Sequence, residues 1–510
     1  MASHKTVSMT EPLLKEASDC IQAGQYGRAK EAIDLYLSNN PYDAPGWTQR
    51  ALLLILSGQE SLAQEAASIA IKIDRTYPDA WSMQGNALMQ LGNFSAALES
   101  FEETIRLAPH SALGYYNKAN ALRSLGQLHD AISAAQASLA ISPKQSNTMT
   151  LMGALQKEVG NLSSALRWFD DALSLNPHAA DAHYNRGLLY LSTEQFALGW
   201  QDYEWRLRWD VTIRQGQSQS VERMAPDWHG ELTSKSLLVL PEQGIGDQIF
   251  FAGMLTDLQR IAAGSMVCVE PRLLTLMQRS FPELHFSTPD QLNIHRLEYS
   301  DQFSAQVHIG SLGRFFRTDL TDFKNVTHGY LKTDKNRTDR FKSSLSRPGK
   351  TICGISWKSK NNEFGSAKSL TLAALAPLLQ ARGVEFIDLQ YGQTSEEISS
   401  LKTAHGISIH EPLGVDKFND IDGLASIISA CDIVITVSNT TAHLAAALGK
   451  PVIVMLPNSP SLFWYWHRDR TTSPWYPSAV LLRQSIPGKW DDVIETAQQA
   501  LHAFTQAAMS

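Results

Sequence analysis

Pro109–Ser142 reads PHSALGYYNKANALRSLGQLHDAISAAQASLAIS, one full period of a pattern that returns every 34 residues. Its Gly126 has counterparts at Gly24, Gly58, Gly92 and Gly160. A small residue, here Ala119, recurs in register at Ala17, Ala51, Gly85, Gly153 and Gly187 and lets two helices approach closely. Bulky residues fall at Trp47, Trp81, Tyr115 and Met149, with His183 continuing the series. Pro41, Pro109, Pro143 and Pro177 open the step between repeats, and Arg75 stands once in place of proline. Each glycine can take the left-handed conformation that ends the first helix of a pair, and the proline closes the second. After Gly160 the glycine beat stops, and glycine-rich turns begin to follow short β-branched runs, as in an α/β protein.

The combination over residues 10–210 resembles the tetratricopeptide repeat and covers about five to six repeats. An all-α solenoid is expected, because no single helix pair buries its apolar face alone. Helical spacing sets Asn117 and Asn185 along the concave face, with Asn86 and Asn120 nearby. A carboxamide both donates and accepts, so these asparagines form a candidate acceptor-binding ladder for an extended peptide backbone. The alternative is that asparagine is simply common at these positions.

At 510 residues the chain is too long for one core and implies two or three globular units. Its 44 basic and 51 acidic residues give a net charge of −7 with no long run of either sign, which points away from duplex nucleic acid or an anionic membrane. Cys20, Cys268, Cys353 and Cys431 are far apart and form no C-x-x-C pair, so they read as reduced packing residues. Met1 to Glu11 lacks an apolar signal core, and no stretch approaches the ~18 apolar residues of a membrane span. A cytoplasmic protein is expected.

Phe196, Trp200, Tyr203, Trp205 and Trp209 fall at helical spacing and would seal the last repeat against the next domain. Asp210 to Ser234 loses periodicity, and residues 211–235 read as a linker. Ser236 to Leu240 is an apolar strand that turns through Pro241-Glu242-Gln243-Gly244-Ile245-Gly246-Asp247 into a helix expected over Gln248 to Ile261. Glycines there let an anion or a sugar hydroxyl approach the main chain. Further strands are expected at Thr351 to Trp357, Val384 to Leu389, Ile433 to Val437 and Val452 to Leu456, with helices at Leu372 to Ala381 and Thr441 to Leu448. Such alternation gives a parallel sheet whose ligands gather at the carboxyl ends of the strands.

Those ends carry Lys358, Lys360 and later Lys368, then Gln390-Tyr391-Gly392, then Ser438-Asn439-Thr440-Thr441-Ala442-His443 at a helix start. A helix N-terminus, hydroxyl donors and lysines together suit a diphosphate. Thr440 or Thr441 could instead only cap the helix, and His443 alone could be structural. Asp420-x-Asp422 precedes a helix and reads as a cap rather than a metal site. Phe463 to His467 is strongly aromatic and reads as interface packing, with stacking on a base or sugar as the alternative.

Glu242 to Asp247, the run Ser438 to Leu448 with Gly449-Lys450-Pro451, and Ser473-Pro474-Trp475-Tyr476-Pro477 followed by Arg483-Gln484 resemble bacterial tetratricopeptide-glycosyltransferase fusions, whose catalytic part is similar to heptosyltransferases. The resemblance implies a multidomain chain: a tetratricopeptide solenoid, then an α/β GT-B glycosyltransferase with two Rossmann-like domains. The acceptor-side domain is expected over 236–347 and the nucleotide-sugar domain over 348–487, with a helix over 488–510 packing back across both. Ser438-Asn439 stands where the family usually has an aspartate-threonine pair. With Trp357 to Ser369 it resembles a subgroup linked to flagellin glycosylation, in which nonulosonic acids such as pseudaminic or legionaminic acid are transferred.

Glycosyl transfer needs a base on the acceptor side and positive charge on the donor side. Asp247 matches the family's proposed general base, with Glu242 as the second candidate and a helix N-cap as the ordinary role for Asp247. Gly244, Gly246, Lys358, Lys360, Lys368, Gln390, Ser438, Asn439, Thr440, Thr441 and His443 are expected to bind the donor, without a metal or other cofactor. The expected function is a protein O-glycosyltransferase acting on Ser or Thr of an acceptor such as flagellin, recruited by the repeats. The alternatives are a binding scaffold with an inactive transferase domain, and a glycan- or lipid-directed transferase.

Overall fold

The computed structural model describes residues 11–208, 223–231, 236–295, 302–324, 326, 328–360, 365–459 and 461–509. Most of the expected linker 211–235, together with Trp209, lies outside them. The chain divides into two compact units, Met1–His183 and Tyr184–Ser510.

The first unit is a stack of antiparallel helix pairs, tetratricopeptide repeats, running from Glu11–Gln22 to Leu162–Leu175. Gly24, Gly58, Gly92, Gly126 and Gly160 take φ values of 66 to 89° at the turn within each pair. At two of its glycines the small-residue register admits a ring: a Cβ would lie 2.4 Å from the Phe101 ring at Gly85 and 2.5 Å from the Phe169 ring at Gly153. The bulky register ties down the step between repeats. Trp47 Nε1 donates to the Pro41 carbonyl at 2.9 Å and Trp81 Nε1 to that of Arg75 at 3.0 Å. His183 Nε2 lies 3.1 Å from the Pro177 carbonyl, so the same offset serves three repeats.

The beat does not end at Gly160. The next position in the 34-residue series is Glu194, which takes the same left-handed turn at φ 65° without being glycine. It joins Ala180–Ser192 to Phe196–Tyr203. A non-glycine residue in that region is strained and persists only where its surroundings hold it. Here Arg470 grips the Glu194 carboxylate through two nitrogens.

In the second unit, β1 (Ser236–Leu240), β2 (Met266–Cys268), β3 (His285–Ser287) and β4 (Phe303–His308) form a parallel sheet in the order β3-β2-β1-β4. A second parallel sheet, ordered β6-β5-β7-β8-β9, contains β5 (Thr351–Ser356), β6 (Val384–Asp388), β7 (Ile433–Val437), β8 (Val452–Leu456) and β9 (Ala479–Arg483). The unit is thus α/β.

Both sheets feed one apolar cluster, which takes Leu237 and Val239 from β1, Val434 from β7 and Val454 from β8. Phe196, Trp200 and Tyr203 belong to it too, which is why the last helix pair counts with the α/β unit. The amides of Tyr330 and Leu331 donate to the Ala447 carbonyl at 2.8 and 3.0 Å, and Arg279 pairs with Asp422 at 2.5 Å.

The helix expected over 248–261 is split into Ile245–Ala252 and Leu255–Ile261. Tyr330 causes the break, because its hydroxyl donates to the Ile249 carbonyl at 2.7 Å and its ring lies where a Cβ on Gly253 would be, at 3.1 Å. The C-terminal helix, Asp491–Met509, was expected to pack back across both domains. Its buried Val493, Ile494, Ala497 and Leu501 join the core of the second sheet.

Candidate functional site

In an open parallel sheet the crevice forms where neighbouring strands send their connections to opposite sides. In the first sheet that point lies between β1 and β4, and in the second between β5 and β7. The turn after β1 carries Glu242 to Asp247, and the segment after β7 carries Ser438 to His443. The fold sets the two against each other. A Cβ on Gly246 would stand 3.3 Å from His443 Cδ2, a tight contact, and 3.8 Å from Thr440 Oγ1, an ordinary one, so glycine lets the two segments lie close without displacing His443.

Asp247 is not the N-cap that aspartate near a helix start usually supplies. Gly244 occupies that place, and Asp247 sits in the first turn of Ile245–Ala252, its Oδ2 accepting from the Gly244 amide at 3.3 Å. Burial pushes the Asp247 carboxyl up to about 6; Glu242 adds to this, and the Gly244 amide and Lys368 oppose it. A carboxylate poised near neutrality is suited to accept a proton. Glu242 is differently placed. It is buried, and Arg206 takes both its oxygens, Nε to Oε2 at 3.0 Å and Nη2 to Oε1 at 2.9 Å. Glu242 is therefore engaged in shaping the turn and is not open to a substrate.

On the opposite wall Asn439 caps helix Thr440–Ala447, its Oδ1 accepting from the Ala442 amide at 3.2 Å. Its Nδ2 donates to Ser356 Oγ at 2.8 Å and to the Lys358 carbonyl at 3.1 Å. Gln390 Oε1 accepts from Ser356 Oγ and from the Trp357 and Lys358 amides at 2.7 to 3.0 Å. Ser438 Oγ accepts from Trp466 Nε1 at 2.9 Å. These three side chains brace the strand ends. Since Asn439 is the cap, neither Thr440 nor Thr441 is needed for that role. Thr440 is half-buried beside Gly246, and the buried Thr441 Oγ1 has no hydrogen-bond partner among the described residues. His443 Nδ1 lies 2.9 Å from the Tyr476 hydroxyl; burial, reinforced by Lys368, pulls the imidazole down to about 3 and keeps it neutral.

The lysines sort in an order that the spacing along the chain does not suggest. Lys358 is ion-paired with Glu397, and Lys360 is exposed, its Nζ 5.8 and 5.6 Å from the centres of the Tyr391 and Phe418 rings. Lys368 is the one in the crevice: 2% exposed, it senses both Asp247 and His443. Burial pulls its ammonium down to about 8, with Asp247 opposing. Among the described residues it has no ion pair, and Phe463 lies against it. The rest of the aromatic run serves as packing, with Tyr465 and Trp466 buried in the shared core.

In the repeat unit, Asn117 is buried with Nδ2 unpartnered among the described residues, Asn120 Nδ2 donates back to the Tyr116 carbonyl at 3.1 Å, and Asn86 is half-buried. Asn185 is half-buried and belongs to the other unit. Asp420 caps helix Ile421–Ala430 and pairs with Arg337, and Asp422 pairs with Arg279, so both carboxylates are used structurally. Among the described residues no cluster of three or more His, Cys, Asp or Glu is placed to hold a metal ion, and no helix is long and apolar enough to cross a membrane.

Arg206, Tyr203, Phe463 and Tyr476 complete the surroundings of the site. Tyr203, Phe463 and Tyr476 lie in stretches that the sequence singled out, and Arg206 was not among the residues it pointed to. Arg206 is 36 residues from its partner Glu242, and nothing local announces the pair.

A tetratricopeptide repeat family model matches residues 82–146 and 151–199. Protein FlbA of Caulobacter vibrioides is 28% identical over 402 residues, which cover 69% of this chain and 66%, just under two thirds, of that protein. That match is longer than the repeat unit and so reaches into the α/β unit. Among solved structures, a thermophilic tetratricopeptide-repeat protein of Thermus thermophilus is 18% identical, with 36% of this chain and 99% of that chain covered at a TM-score of 0.34. YrrB, a tetratricopeptide-repeat protein with an unusual peptide-binding site, is 21% identical, with 35% and 91% covered at a TM-score of 0.28.

Proposed function

We propose that the α/β unit is a glycosyltransferase of the GT-B type, and that it transfers a sugar from a nucleotide-sugar donor to Ser or Thr of a polypeptide recruited by the repeats. The observation that carries this reading is the opposition of Asp247, with its raised pKa, to the buried Lys368 and the start of helix Thr440–Ala447. An acceptor hydroxyl attacks the anomeric carbon as the bond from that carbon to the nucleotide phosphate breaks. Its proton passes to the Asp247 carboxylate. The leaving phosphate keeps the bonding electron pair, and Lys368, the Thr440 hydroxyl and the helix N-terminus stabilise its charge. A nonulosonic acid as the sugar and flagellin as the acceptor follow from the sequence resemblance alone.

The test is calorimetry with a nucleotide panel, followed by mass spectrometry of acceptor proteins from cells with and without the gene. A mass added to Ser or Thr in wild type and lost in Asp247→Asn, with nucleotide binding kept, supports the reading. Absence of any nucleotide binding would leave a repeat-mediated scaffold. Transfer to a free glycan or lipid, with no modified protein, would leave the glycan-directed enzyme.

A further inference from the structure

The described residues with positive φ that are not glycine are Glu194, Gln243 and His467. All three lie where the last helix pair meets the two sheets. Gln243, at φ 59°, is in the turn that carries Asp247, and its Nε2 donates to the Tyr203 hydroxyl at 2.9 Å. Tyr203 comes from helix Phe196–Tyr203 and is 1% exposed, with the Arg206 guanidinium 4.2 Å over its ring. Arg206 in turn holds Glu242. Two consecutive residues of the turn are therefore gripped by one helical segment. In the segment between β8 and β9, Arg470 binds Glu194, whose carboxylate lies 3.8 Å from His467 Nδ1. Phe463, in the same loop, covers Lys368.

We infer that the last helix pair is a positioning element of the catalytic site, with Tyr203 as the positioning residue that keeps Gln243 left-handed and so aims Asp247. The inference rests on the transferase reading for its catalytic consequence and on geometry alone for the grip itself. A side chain other than glycine at φ 59° needs something to hold it, and the Tyr203 hydroxyl supplies a hydrogen bond from outside the turn. Glycine needs no such hold.

The experiment uses the full chain as wild type, Tyr203→Phe, Gln243→Gly and the double variant. Hydrogen exchange of the segment 241–247 is read first, and kcat and KM afterwards. Tyr203→Phe keeps the buried ring, so the helix pair should retain its protection while exchange in the turn rises about fivefold, the loss of one hydrogen bond. Adding Gln243→Gly should return the turn to the wild-type rate and restore kcat, with the KM for nucleotide unchanged throughout. Unchanged exchange in Tyr203→Phe would overturn the inference. A rise that glycine does not reverse would also overturn it, since Tyr203 would then act through packing. If wild type transfers no sugar at all, the transferase reading fails, and the exchange comparison still decides whether Tyr203 holds the turn.

Discussion

The ring of Phe463 covers the ammonium of Lys368, whose Nζ lies 4.2 Å from the ring centre. A buried cation facing an aromatic ring, with no ion pair among the described residues, carries a desolvation cost that the ring offsets only in part. An anionic phosphate entering the crevice would supply the missing partner.

Lys368→Met should therefore weaken nucleotide binding and strengthen the fold. Loss of one charge-assisted contact lowers affinity about tenfold or more, ~1.5–3 kcal/mol, measurable by calorimetry. The folded pKa, about 8, lies below the ordinary 10.5, so wild-type stability rises with pH across that window. The variant's advantage in thermal melts should be largest below pH 8 and fade as pH rises through 10.5.

Asp247 titrates in the opposite sense. Its folded pKa of about 6 lies above the ordinary 3.8, so the folded chain holds its proton more firmly and wild-type stability falls as pH rises from about 4 to 6. Asp247→Asn should be more stable than wild type at pH 7, by at most on the order of 3 kcal/mol, and equal to it below pH 4. Transfer should show an acid limb in kcat/KM near pH 6, absent from any residual activity of the variant.

Arg206→Met removes the guanidinium from the buried Glu242 carboxylate and leaves it beside His308, whose Nδ1 is 3.9 Å from Oε2. The expected loss is about 3–5 kcal/mol of stability in urea unfolding, most of it recovered by adding Glu242→Gln. Recovery of stability without recovery of transfer would mark the pair as a device for shaping the turn.

Two glycines of the repeat unit should fail for different reasons. Gly153→Ala drives a methyl to within 2.5 Å of the Phe169 ring and should cost ~1–3 kcal/mol, relieved by Phe169→Leu. Gly126→Ala meets no atom within 4 Å, but its φ of 75° is strained for alanine, so about 1 kcal/mol is expected with no relief from any neighbour. A double-mutant cycle in thermal unfolding separates the two.

Much of this was legible along the chain. The 34-residue beat foretold the helix pairs and their left-handed glycines, because a tight turn and a close helix contact each restrict a single position. The strands β1, β5, β6, β7 and β8 and the glycine turn at Gly244 and Gly246 were legible as short apolar runs ending in polar segments. The strands β2 and β3, at three residues each, are too short to announce themselves. Glu194 concealed the sixth turn, since its left-handed backbone is held by Arg470, 276 residues away.

Local pattern alone determined the tetratricopeptide repeats, the parallel α/β character of the second unit and the strand ends at which its polar residues gather, because periodicity and turn chemistry act within a few residues. Tertiary structure decided which carboxylate is consumed, since Arg206 takes both oxygens of the buried Glu242 while Asp247 accepts only from the Gly244 amide in its own turn among the described residues. It also decided that Lys368, and neither Lys358 nor Lys360, enters the crevice. Burial and pairing depend on residues dozens to hundreds of positions apart, and only the folded chain brings them within range of a hydrogen bond or a charge.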